Sequence, residues 1–166
     1  MIGEVMDYCN NHFIDEIDSG DFAFVNSTSK ITGTFTEDHY VVGSYIYVTG
    51  AKVPQNNNAF KIVEVDATYL VVDSSDLVDE DSTDKYTVYI MSCRIPNSFL
   101  SLVTDIDTWN TSNSAKANGV ASEKIDDYSI NFGDAIKNGG GWQGAFGGRL
   151  REFKSIFSDL KCFYGY

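Results

Sequence analysis

Apolar positions in residues 1–13 recur at spacings of three and four: Ile2, Val5, Met6, Cys9 and Phe13. That period predicts a short amphipathic helix, and Glu4 and Asp7 stand in its first turns, where the helix dipole favours acids. Such a short helix is marginal alone, so its stripe must pack on another element. Asn10, Asn11 and His12 weaken its end, and Asp18-Ser19-Gly20-Asp21 reads as a turn. From Phe22 to Cys93 the period becomes that of strands. FAFV, KITGTF, VVGSYIYVTG, AFKIVEV, TYLVVD and KYTVYIM are rich in β-branched and aromatic residues, and several alternate. In YIYVTG, Tyr45, Tyr47 and Thr49 take one face and Ile46 and Val48 the other, and VPQNNN at 53–58 supplies a turn. About five or six closely spaced strands predict a small antiparallel barrel or sandwich.

After Arg94 the helical period returns. Pro96 suits a first turn, and Phe99, Leu102, Val103, Ile106 and Trp109 form a stripe. Residues 110–127 are polar and small and read as an exposed loop, 128–132 as a short strand, and NGGG at 138–141 as a break. A last helix is expected over 142–158, with Trp142, Phe146, Leu150, Phe153, Phe157 and Leu160 near heptad spacing. Gly147 and Gly148 oppose it by about 1 kcal/mol each. Burying each large apolar side chain yields roughly 1.5 to 3 kcal/mol, so the pair is read as a site of close helix approach or a bend. The helices near 96–110 and 142–158 should pack on each other and on the first helix. Phe99, Val103, Ile106, Trp109, Trp142, Phe146, Leu150 and Phe153 are the expected packing residues. The expected fold is α+β: a small helical bundle from residues 1–21 and 93–166, with an antiparallel β-barrel or sandwich subdomain inserted at 22–92.

Composition sharpens this division. A chain of 166 residues has room for one domain, or one carrying an inserted subdomain. With 43% apolar and 14% aromatic residues it can bury a core. Its 24 acids against 12 bases give a net charge of −12, which argues against a protein that grips phosphate backbones. Residues 1–92 hold 16 acids and 4 bases, whereas 93–166 hold 8 of each. The acidity and the strand period therefore end together. The acidic N-terminal stretch does not suit a signal peptide, and no apolar run approaches the ~18 residues of a membrane span, so neither secretion nor membrane insertion is expected. Cys9, Cys93 and Cys162 lie far apart with no C-x-x-C pair and read as reduced thiols in a cytoplasm. The sequons at Asn26 and Asn110 then carry no meaning.

Candidate chemistry is sparse. His12 and His39 have no metal-ligand or triad spacing and read as solvated surface residues. Cys9 and Cys93 sit in apolar contexts typical of core positions. The acidic run Asp73, Asp76, Asp79, Glu80, Asp81 and Asp84 invites a calcium loop, with Asp79, Asp81 and Thr83 at positions one, three and five. The sixth position is Asp84 where the loop needs glycine, and the twelfth is Ile90 where it needs glutamate, so a solvated acidic loop is expected. NGGGWQGAFGG lacks the lysine and hydroxyl of a phosphate-binding loop. The chain is read as a non-enzyme with no cofactor and no metal.

The informative stretches are IPNSFLSLVTDIDTW at 95–109 and WQGAFGGRLREFKSIF at 142–157, with a polar loop and YSIN at 128–131 between them. They resemble the head-tail connector, or adaptor, proteins of tailed bacteriophages that infect Gram-positive bacteria. An opening I-x-E-V-M-x-Y-x-N-x-F helix is similar to that family's first helix. The VVGSYIYVTGAKVPQNNNAFKIVEV segment is similar to its G-x-Y-x-x-I-x-G-S-x-x-N-D-G-V-Y hairpin, and the late W-x-x-x-F-x-x-R-L pattern follows in the same order. The likeness covers residues 1–14, 41–66 and 94–157. The chain departs where the family often has a Ser-Glu-Ser-Phe-Gly-Gly-Tyr-Ser-like run and this sequence has SEKIDDYSINFG, and its insert around 73–84 is longer and more acidic.

The resemblance implies a structural virion protein assembled in the host cytoplasm and located in the virion neck. It would form a ring of about twelve copies beneath the portal protein, extend the DNA tunnel and dock the tail-side stopper. DNA would pass without specific binding, and no membrane is involved. The β-subdomain would lie on the outer or lower face of the ring. Because the resemblance places the terminal segment against the portal rim, Lys154, Lys161, Phe163, Tyr164 and Tyr166 are candidate portal-binding residues. Two alternatives are carried: a stopper or tail-completion neck protein, and a metal- or carbohydrate-binding β module using the Tyr-rich strands.

Overall fold

The computed structural model describes residues 1–81, 87–112 and 141–156, with the backbone alone of 122–125 and 128–131. The alternating runs become strands β2 (Ala23–Val25), β3 (Lys30–Thr32), β4 (Tyr45–Thr49), β5 (Ala59–Asp66), β6 (Tyr69–Val72) and β7 (Val88–Cys93). They are preceded by a strand the sequence pattern does not announce, β1 (Ile14–Gly20). All seven form one antiparallel sheet in the order β1-β7-β4-β5-β6-β3-β2.

This corrects the expected architecture. The molecule is mainly an open seven-stranded sheet with few helices, not a helical bundle carrying a barrel or sandwich. β1 and β2 are the edges and do not pair with each other, so the sheet is not closed. The core explains how it manages without closure. Phe24, Ile31, Ile46, Val48, Phe60, Ile62, Leu70, Val72, Val88 and Ile90 come from the strands, while Phe22, Phe35, Tyr40, Ala51 and Leu77 come from the connections. The connecting aromatics interlock: Phe22 and Phe35 have ring centroids 5.0 Å apart, and Phe35 meets Tyr40 edge-on at 5.6 Å. Tyr40 Oη then donates to the Ile90 carbonyl at 3.2 Å. Loop side chains thus bury apolar surface that strand closure would otherwise cover.

Two bulges shape the sheet. One falls between Ile14 and Ile17 in the β1–β7 pairing and another between Ile62 and Glu64 in β5–β6. The second leaves Val63 and Glu64 both facing solvent and so brings Val65 back against the core.

Helices α1 (Ile2–Cys9) and α2 (Asn97–Ser112) follow the apolar stripes, and two short pieces come later, α3 (Gly141–Ala145) and α4 (Gly147–Leu150). Val5, Met6 and Cys9 of α1, Phe99, Leu102 and Ile106 of α2, and Leu150 are buried. Val103, Trp109, Trp142, Phe146 and Phe153 are half-buried. Phe99 meets Phe153 edge-on at 5.1 Å, and Trp109 meets Phe146 at 6.4 Å. The expected continuous helix over 142–158 is not formed. It breaks at Phe146 (φ −108°, ψ 9°) and gives way to turns after Leu150. A Cβ at Gly147 or Gly148 would meet nothing within 4 Å, so the pair marks a bend and not a close approach. Phe157 and Leu160 lie outside the described residues.

Part of the expected 110–127 loop is a strand, because β8 (Ser122–Ile125) pairs antiparallel with β9 (Tyr128–Asn131). The chain divides into two compact units, Met1–Asn11 with Pro96–Phe157, and His12–Ile95. β1 therefore belongs to the sheet unit, although residues 1–21 were assigned to the helical part from sequence. Among the described residues no helix is long and apolar enough to cross a membrane.

Candidate functional site

In the helical unit, the end of α1 is built to hold a later piece of chain. Asn10 takes the left-handed conformation (φ 54°, ψ 36°), and its N–H returns to the last turn of the helix. Asn11 Nδ2 donates to the Phe153 carbonyl at 3.1 Å, and the Ser155 N–H donates to the Cys9 carbonyl at 2.9 Å. The asparagines that weaken a helix end in sequence thus clip 153–155 onto α1. Between those anchors, Lys154 Nζ lies 4.1 Å from the centre of the Tyr8 ring, and Tyr8 also meets Trp142 edge-on at 5.2 Å.

Around this lysine is a cleft of about 240 Å³ lined by Tyr8, Gln143, Gly144, Gly147, Gly148, Arg151 and Lys154. Among the described residues its lining holds two cations and no carboxylate. The neighbouring Arg149 turns elsewhere, pairing with Asp105 at 2.6 Å. Cys9 Sγ points its weak donor at the Leu150 carbonyl (3.9 Å), and burial pushes its thiol up from the ordinary value, with Lys154 pulling the other way. It is a packing residue and not a nucleophile.

In the sheet unit, the acidic run is exposed at Asp73, Asp76, Asp79 and Asp81, and it is also anchored along its length. The Asp73 N–H donates to the Lys61 carbonyl at 2.8 Å, and Ser29 Oγ donates to the Ser74 carbonyl at 2.8 Å. Leu77 is buried in the core. Asn56, itself buried, donates from Nδ2 to the Val78 carbonyl (2.9 Å) and accepts from the Val78 N–H (2.9 Å). Asp79 Oδ1 accepts the Asn26 N–H at 2.7 Å. Glu80 exchanges both backbone bonds with Phe24, a one-residue bridge on edge strand β2. Its carboxylate also accepts from the Lys52 N–H (2.8 Å), the Val53 N–H (3.0 Å) and Asn56 Nδ2 (3.0 Å).

Residues 73–81 are therefore a strap pinned at six places, and Asp73, Asp76 and Asp81 remain exposed along it. The spacing of the acids could not reveal this, because backbone groups and asparagine amides do the holding. The one sequence signal is the Asn56-Asn57-Asn58 run: Asn56 reaches Val78 on the strap, and Asn57 closes a two-bond ring with the nearby Ala51 backbone at 2.8 Å on each side.

His12 is corrected from a surface residue to a buried one at 2% exposure, packed edge-on to Tyr47 with ring centroids 4.3 Å apart. His39 is half-buried, with Nδ1 3.4 Å from Asp18 Oδ1 and Nε2 4.0 Å from Glu16 Oε2. Asp18 also accepts the Thr36 N–H and hydroxyl at 2.8 and 2.9 Å. Burial and the nearby Asp18 raise the Tyr40 phenol far above its ordinary value, so it stays a donor to Ile90. Among the described residues no three His, Cys, Asp or Glu side chains are placed to hold a metal ion.

Of the residues singled out from sequence, the structure gathers Phe99, Leu150 and Phe153 with Ile106 in the helical unit and places Lys154 in the cleft. Lys161, Phe163, Tyr164, Tyr166 and Asp84 lie outside the described residues. No protein-family model, curated protein or solved structure matches the chain.

Proposed function

We propose that the protein is a structural component of a tailed-phage neck, a head-tail connector that assembles as a ring under the portal and receives the tail-side component. The observation that carries this reading is where the three resembling stretches fall. Residues 1–11 and 96–156 contribute to one compact unit, and 41–66 contains the antiparallel β4–β5 hairpin. The charge supports it as well, since a surface dominated by acids repels DNA over about 8 Å at 0.15 M salt and so favours passage without retention.

One observation favours the second neck position. Two flanking amphipathic helices plus a C-terminal helix would favour an adaptor over a stopper, yet the expected last helix is reduced to α3 and α4, while the sheet has seven strands. A stopper or tail-completion role accordingly stands beside the adaptor role within the same assembly. In the adaptor version Lys161, Phe163, Tyr164 and Tyr166 anchor to the portal, aromatic side chains being frequent interface hot spots.

The test is to mix the chain with portal rings encoded in the same genome and image the particles by negative-stain microscopy. The expected result is an added ring at one end of the portal, lost when the chain is truncated after Leu160. Bare portal rings that instead gain the chain only after the adaptor is present identify the stopper. Portal rings and portal-adaptor assemblies that both stay bare in excess of folded chain refute the neck reading.

A further inference from the structure

We infer that the cleft of Tyr8, Arg151 and Lys154 receives the exposed carboxylates of the 73–81 strap from a second copy of this chain, as a head-to-tail contact. This deepens the ring reading above and rests on it.

The cleft is organised for an anion before any arrives. Lys154 is flanked by Phe153 and Ser155, both bonded to the end of α1, and its ammonium is seated over Tyr8. Arg151 lines the same cleft, and among the described residues no acid pairs with it. Gly144, Gly147 and Gly148 also line it, and the open space where the last two would carry side chains leaves room for an incoming group. A cation already held in place by its own fold has less freedom left to lose and binds with a smaller ordering penalty.

The strap is the complementary surface. Its backbone is fixed by Asn26, Asn56, Phe24 and Leu77, so Asp73, Asp76 and Asp81 project from an ordered segment. The 12–95 stretch holds 14 acids and 5 bases, a net of −9. Copies brought together at random would meet acid to acid. Docking strap to cleft replaces one such repulsion with an attraction and selects a single orientation. Because the two patches differ, the contact is heterologous and repeats from copy to copy, which is the geometry that closes rings.

The experiment uses the full chain in two charge-reversed forms, R151E/K154E in the cleft and D73K/D76K in the strap. The strap pair leaves Leu77, Asp79 and Glu80 untouched, and circular dichroism verifies folding of each form. Sedimentation velocity then reads association. The wild-type chain is expected to associate, and to do so less as salt rises from about 0.01 to 1 M and the screening length falls from ~30 to ~3 Å. Each reversed form alone should associate at least about tenfold more weakly.

An equimolar mixture of the two should recover the wild-type behaviour, since the reversed cleft of one then faces the reversed strap of the other. Folded reversed forms that associate like wild type, a mixture that does not recover, or a wild-type chain that stays monomeric at low salt each overturn the inference. Loss of portal attachment with unchanged self-association assigns the cleft to the portal and also overturns it. Charge-dependent self-association in a chain that never joins a portal or its adaptor retains the contact and removes the neck reading instead.

Discussion

Asn56 offers a direct measure of what the strap contributes to the sheet unit. The side chain is fully buried at the end of a 3-10 turn, and its amide makes three bonds, two to Val78 and one to Glu80. Asn56→Ala removes all three and leaves the Val78 N–H and C=O without their partner. An orphaned buried group costs about 1–3 kcal/mol. Val78 is 37% exposed, so water reaches part of its backbone and the expected loss is about 2–4 kcal/mol.

Asn56→Asp keeps the shape and the acceptor for the Val78 N–H, yet sets a second carboxylate where an amide donated to Glu80 Oε2 at 3.0 Å. Two like charges 4 Å apart repel by about 4 kcal/mol at an effective dielectric of 20. The aspartate should therefore be worse than the alanine at neutral pH. A proton shared between the two carboxyls would restore the donor, so the folded variant binds that proton more tightly than its unfolded chain does. The deficit is full above the raised pKa of the pair and shrinks as pH falls through it. Urea unfolding followed by far-ultraviolet circular dichroism is the appropriate assay, because Trp109 and Trp142 both lie in the other unit and their fluorescence reports elsewhere. An alanine variant within about 0.5 kcal/mol of wild type, or an aspartate variant no less stable than the alanine at neutral pH, would refute the proposed role of the clasp.

Gly50 sits at φ +85° with the Thr87 carbonyl oxygen 2.5 Å from the place of a Cβ, so Gly50→Ala should cost about 2 kcal/mol or more in the same urea assay. Gly148 has open space and helical backbone, and Gly148→Ala should raise the melting point of the tryptophan signal, with a gain of about 0.5–1 kcal/mol. Tyr40→Phe loses the bond to Ile90, about 1 kcal/mol near neutral pH. Because Tyr40 is harder to ionise folded than unfolded, its contribution is complete below the ordinary phenol pKa of about 10 and falls above it, so the variant should show a shallower loss of stability in alkali.

The apolar stripes made α1 and α2 legible, and six strands stand close to the runs that predicted them. β1 was hidden for a physical reason. Its bulge lies between Ile14 and Ile17 and spaces them by three, which breaks the period of two that marks a strand, and Asp15, Glu16 and Asp18 fill the rest. The last helix misled in the opposite way: its stripe is helical in period, but nothing in the stripe reports that the chain turns at Phe146.

The site was less legible than the fold. Lys154 is a candidate only through the family resemblance, and its seat over Tyr8 depends on asparagine bonds spanning more than a hundred residues of sequence. Glu80 looked like one more acid in a run of them. Its distinction is that amides at 52, 53 and 56 converge on it, and no local spacing encodes that.

An acid excess of this size sets the general tendency of copies to separate, but it does not decide which surfaces meet. Screening at 0.15 M salt limits the reach of that repulsion to about 8 Å, so the outcome at contact depends on the few charges brought face to face. The strap matters here because it divides its acids by role. Glu80 is consumed by three donors, and Asp79 accepts a backbone N–H. Asp73, Asp76 and Asp81 stay at the surface on a backbone that cannot drift. A mobile loop of the same composition would have to be ordered on binding, at a cost that offsets much of its attraction. Pinning the strap removes most of that cost, and the same anchors that stabilise the sheet unit would then also set the affinity between copies. Loosening the clasp at Asn56 should consequently weaken self-association even though neither Asn56 nor its partners Val78 and Glu80 touch the cleft in the proposed contact.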